Sequence, residues 1–131
     1  MAVHIVRLGS ERSPDEGLRI GTVRRPPRGV PKADFARRDF YDVWLPNLAP
    51  SEELLKQALS AAADGDDRAW RQFVRRYRME MKTPERRALL DTLAALSHHA
   101  NFSVGCYCAD EARCHRSILR ELLAESDAKF A

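Results

Sequence analysis

The stretch "GCYCADEARCHR" (residues 105–116) holds all three cysteines of the chain, one of its four histidines and two arginines. The residues before it, "NFSV", are suited to a strand. Those after it, "SILRELLAES", place Ile118, Leu119, Leu122 and Leu123 on one helical stripe. The spacing predicts a strand over 101–108, a loop or first turn at "ADEAR", and a final helix from Cys114 onward. Strand, loop and helix make half of a βαβ unit. That decides the fold class: α/β, with a small, partly parallel sheet flanked by helices and a Rossmann-like strand–loop–helix at the C-terminus.

Working outward, "VHIVRL" (3–8) and "LRIGTV" (18–23) are β-branched and apolar and read as two further strands. Gly21 marks a bulge or a close backbone approach in the second. "RRPPRGVPK" (24–32) has three prolines and a glycine, so it reads as an ordered loop, and "YDVWLP" (41–46) as a short strand ended by Pro46. The middle of the chain is helical. Ser51 is a candidate N-cap, with Glu52 and Glu53 in the first turn and an apolar stripe of Leu54, Leu55, Ala58, Leu59 and Ala62. A second helix starts near Asp66 or Asp67 and buries Trp70, Phe73, Val74, Tyr77 and Met81. A third has Thr83 as cap, Pro84 at its first position and Leu89, Leu90, Leu93 and Leu96 as its apolar face. Without repeats or low-complexity segments, residues 1–131 read as a single α/β domain.

Composition narrows the function classes. A 44% hydrophobic fraction argues against disorder. No run of about 18 apolar residues is present, so no membrane span is expected. Three cysteines without an export signal point to a cytoplasmic protein with reduced thiols. The net charge of +3 is modest, but 18 of the 22 basic residues are Arg, the better fork for phosphate or carboxylate. The arginines of "RQFVRRYR" form a basic helix face whose aromatics share the opposite, buried side. They cannot stack on bases, which makes a nucleic-acid partner the weaker expectation.

The cysteine–histidine cluster then sits where a strand's carboxyl end meets a helix start, the place where open α/β sheets bind ligands. Its expected use is a small anionic ligand such as a phosphate or nucleotide. Cys114, His115 and Arg116 form the base of the site, Cys106 and Cys108, on one strand face, its wall, and Arg113 flanks the helix start. Arg24, Arg25 and Arg28 overhang it as a lid if the second strand lies beside the last. Asp42 either orients His115 or pairs with a loop arginine, and Trp44 belongs to the core. Any reaction would use a cysteine, Cys106 or Cys114, as nucleophile and His115 as acid or base.

The alternatives are a thiol-based zinc or redox module and an Arg-rich nucleic-acid or protein adaptor. No cofactor is expected. Zinc, if bound, would take Cys106, Cys108, Cys114 and His115, but ligands on consecutive helix residues diverge by about 100°.

Four blocks, "RRPPRGVPK", "YDVWLPNLAPSEEL", "WRQFVRRYRMEM" and "GCYCADEARCHRSILRELL", occur in this order between residues 24 and 123. Together they resemble the YeaO-like bacterial family of unknown function (domain of unknown function 488). The resemblance implies a small cytosolic α/β protein and no established reaction, cofactor or substrate. It also implies a shared strand-end cysteine followed by Cys-His-Arg, here Cys106 and Cys114-His115-Arg116. Position 108 is often acidic in similar sequences.

Overall fold

The computed structural model describes residues 1–65 and 67–131, and the side chains of all of these except 61–64. A helix start at Asp66 and the place of Ala62 in an apolar stripe lie outside the described residues. Four strands, β1 (Val3–Arg7), β2 (Leu18–Gly21), β3 (Val43–Trp44) and β4 (Phe102–Cys106), form one sheet in the order β1-β4-β2-β3. The expected α/β class holds, and the pairing goes further than partly parallel: β1–β4, β4–β2 and β2–β3 are all parallel. All five residues of the inner strand β4 are buried, as a strand covered on both faces must be.

The helices are α1 (Glu52–Asp64), α2 (Asp67–Glu80), α3 (Pro84–Leu96) and α4 (His115–Glu125). Their starts follow the predicted caps. The Leu54 amide donates to Ser51 Oγ at 3.3 Å, and the Arg86 amide donates to Thr83 Oγ1 at 3.4 Å, with Pro84 at the first helical position. Phe73, Tyr77 and Met81 of the α2 region meet Leu119 and Leu123 of α4 and Phe102 and Val104 of β4 in the main core. Tyr77 is fully buried, and its hydroxyl donates to the Leu48 carbonyl at 2.6 Å. Tyr77→Phe removes that bond and leaves the carbonyl unpaired. It is expected to cost about 1–2 kcal/mol, read as a lower midpoint in urea denaturation.

Several element ends differ from the sequence reading. β4 stops at Cys106 because its neighbours stop there, Arg7 pairing with Cys106 and Gly21 with Gly105. Cys108 therefore lies beyond the strand and is exposed, so it does not share a strand face with Cys106. Cys114 is the extended N-cap of α4, not a helical residue. Trp44 is 43% exposed, not core; Leu59 and Leu96 are exposed too. The Trp44 indole donates to the Val23 carbonyl at 2.7 Å, which holds the ring at the sheet edge. Gly21 is indeed a close approach: a Cβ there would strike the Tyr41 ring. Among the described residues no helix is long and apolar enough to cross a membrane.

Candidate functional site

Parallel pairing brings the carboxyl ends of β1, β4 and β2 to one edge of the sheet. There the chain leaves β4 at Cys106, makes a short turn over Glu111–Arg113, and enters α4. The Ala112 amide donates to Asp110 Oδ1 at 3.0 Å, which caps that turn and sets the extended Cys114 behind it. Cys106 and Cys114 are 1% and 2% exposed and pack with Leu8, Val23 and Tyr41. Their sulfurs are in contact. Their Cα atoms are 7.8 Å apart, beyond the roughly 4.4–6.8 Å that a disulfide spans.

His115 opens α4 and is 7% exposed, edge-on to the Tyr77 ring at 5.6 Å. Burial pushes its pKa down to about 4, with the nearby Arg116 charge acting the same way and the bond to Thr22 opposing. The imidazole is thus neutral at neutral pH. Since a carbonyl only accepts, His115 Nε2–H is the donor to the Thr22 oxygen at 2.7 Å. Nδ1 is then left with a lone pair, 3.8 Å from Cys114 Sγ. The ligand atoms of Cys106, Cys114 and His115 all lie within 4.8 Å of one another.

Arg116 is 5% exposed, and its Nε and Nη1 atoms are buried without a hydrogen-bond partner among the described residues. It lies in the first turn of α4, where the Cys114 side chain caps no amide. The Ser117 amide donates to the Cys114 carbonyl at 3.0 Å, so the amides without a capping side chain at this helix start are those of His115 and Arg116, beside the guanidinium.

The other expected site residues go elsewhere. β2 does lie beside β4, and the Tyr107 hydroxyl donates to the Arg25 carbonyl at 2.9 Å, so the 24–28 loop reaches the cluster's neighbourhood through its backbone. Its guanidiniums do not follow. Arg24 donates to the carbonyls of Pro50 and Ala49 at 3.0 and 3.2 Å, Arg25 pairs with Glu52 at 3.4 Å, and Arg28 is exposed. Arg113 bonds Asp67 and stacks on Trp70. Asp42 pairs instead with Arg12, between β1 and β2, at 2.8 Å and accepts from the Arg19 amide at 2.8 Å, and no arginine of the 24–28 loop is its partner among the described residues. It does not orient His115.

Two participants escaped the sequence reading. Thr22 acts through its carbonyl, which every residue type carries, so no signal in the sequence marks it. Tyr41 packs beside both buried cysteines with its hydroxyl unpartnered, and next to Asp42 in a short strand it looked like an ordinary strand aromatic.

No curated protein and no solved structure matches the chain. The family model DUF488-N3a, described as the active DUF488-N3 subclade, matches residues 3–127. Because that match runs from the first strand past the end of the last helix, the chain belongs to the DUF488 family, in its DUF488-N3a subclade, as its four sequence blocks implied.

Proposed function

We propose that the start of α4 binds a small anionic ligand, a phosphate or carboxylate group, through the Arg116 guanidinium and the amides of His115 and Arg116 in the first helical turn. The buried Nε and Nη1 of Arg116, unpartnered among the described residues, carry this reading. An uncompensated buried charge costs several kcal/mol, and an anion in reach of Nε and Nη1 would supply the missing acceptor. The helix start adds its own N–H groups and its dipole, which favour the same sign of charge. Cys106, Cys114 and His115 then form the floor of the site, and exposed Cys108 its margin. The arginines of the 24–28 loop have no part in it. A cytoplasmic setting suits the three thiols, which are kept reduced there.

Calorimetric titration with inorganic phosphate tests the reading. Wild-type protein is expected to bind one equivalent, and Arg116→Met to weaken binding at least about tenfold, the loss of roughly one charge-assisted hydrogen bond. Arg28→Gln, on the exposed loop, should bind as wild type does. Equal binding by wild type and Arg116→Met overturns the proposal.

A further inference from the structure

We propose that Cys106, Cys114 and His115 bind a single zinc ion through two sulfurs and the imidazole Nδ1. The sequence argues against zinc because ligands on consecutive helical residues diverge. That objection fails for this fold, since Cys114 is the extended residue before α4 and not part of the helix. Its Sγ and the Nδ1 of His115 consequently converge to 3.8 Å. Zinc–sulfur and zinc–nitrogen bonds of about 2.3 and 2.0–2.1 Å in a tetrahedron put ligand atoms about 3.6–3.8 Å apart. The 3.8 Å between Cys114 Sγ and His115 Nδ1 is on that scale. The two sulfurs, in contact in this structure, would part to about 3.8 Å around the ion.

Three further observations point the same way. The Thr22 carbonyl holds the Nε2–H of His115, which fixes the tautomer and turns the lone pair of Nδ1 towards the sulfurs. Metal-ligating histidines are commonly held by a carbonyl or carboxylate on the far nitrogen. The Cα separation of 7.8 Å is too wide for a regular disulfide, whereas an ion between the cysteines spans a wider pair. Charge balances as well. Two thiolates cancel the two positive charges of the ion, so the centre can sit among Leu8, Val23 and Tyr41 without a net buried charge.

Both thiols lose their protons as the two Zn–S bonds form, so binding releases two protons and involves no redox change. Cys108 is outside the set, being exposed. Three protein ligands leave one tetrahedral position open, the pattern of catalytic rather than structural zinc. The inference does not rest on the anion reading, because it uses Cys106, Cys114 and His115 and not Arg116.

The test is a titration of reduced, metal-stripped protein with zinc against a competing chelator, followed by thiol counting. One zinc per chain is expected, with two of the three thiols protected and Cys108 still reactive. Cys106→Ser and His115→Gln should each weaken zinc binding by at least the roughly 10–100-fold typical of losing a supporting residue. Cobalt substitution covers the case in which a variant does not fold: wild-type protein should give the thiolate-to-cobalt absorption of a tetrahedral, two-sulfur site. No zinc binding by the reduced protein, or no such absorption, overturns the inference. So does wild-type affinity in Cys106→Ser. Loss of phosphate binding in Arg116→Met with zinc retained, or the reverse, separates the failure of one reading from that of the other.

Discussion

Arg19→Ala is expected to destabilise the protein by about 3–5 kcal/mol, the cost of removing one partner of a buried ion pair. Arg19 is fully buried, and every part of its guanidinium is engaged. Nε and Nη2 donate to the two carboxylate oxygens of Glu16 at 2.8 and 3.2 Å, and Nη1 donates to the carbonyls of Ser10 and Asp39 at 2.8 and 2.6 Å. One side chain thus ties together two loops that cover the sheet. Truncation leaves Glu16, itself 4% exposed, without its cation.

The pH dependence follows from the same contacts. Burial pushes the Glu16 carboxyl up, but the bonds from Arg19 and from the Ser13 amide outweigh it, and the pKa ends below the ordinary value of 4.5. A carboxylate lowered by folding stabilises the native state fully above its unfolded value. That contribution is lost as pH falls through the folded value. Urea denaturation of the wild type should therefore show stability falling below pH 4.5. In Arg19→Ala this acid-sensitive contribution should be absent. Equal stability of the two proteins at pH 7 would contradict the account.

Arg116→Met is expected to do the opposite to stability. Arg116 is nearly as buried as Arg19, yet its Nε and Nη1 have no partner among the described residues. A buried polar group left unpaired costs about 1–3 kcal/mol, and more when charged. Methionine keeps the unbranched bulk and removes that cost. The variant should unfold at a higher urea concentration, by an amount equivalent to about 1–3 kcal/mol, while losing phosphate binding. Gain of stability with loss of binding is the signature of a residue kept for a ligand. A purely structural arginine would lose stability on replacement, as Arg19 does. Arg116→Met unfolding earlier than wild type would remove the main support for the anion site.

The contrast shows what the sequence made legible. The C-terminal strand, turn and helix could be read from periodicity, and the helix starts at Ser51 and Thr83 from cap chemistry, because these signals are local. The position of β4 between β1 and β2 could not, since it depends on pairing across about a hundred residues, Val3 with Phe102. The strand's end depends on its neighbours as well. The alternation in "GCYC" predicts a strand that carries Cys108 into the wall of the site, but β1 and β2 supply no partner beyond Cys106.

From its sequence Cys114 reads as helical, because one residue of offset at a helix start is invisible without the cap geometry. That offset is what turns two diverging ligands into converging ones. Arg116 was legible in one respect: it shares a helical face with Leu119 and Leu123, both buried, and an arginine on such a face asks for a partner. Its lack of one is visible only in three dimensions. The 24–28 arginines looked like a lid because composition records charge and not direction. Arg24 and Arg25 in fact turn towards α1 and the segment before it.

The central claim is that the start of α4 is an anion site, and amide chemical shifts report on it residue by residue. A nitrogen–proton correlation spectrum of the labelled protein, recorded during titration with inorganic phosphate, should show saturable shifts centred on His115, Arg116 and Ser117. The Arg116→Met protein should lack them. Shifts spread over the exposed arginines of the 24–28 loop and α2, or no saturable shift at the start of α4, would contradict the account.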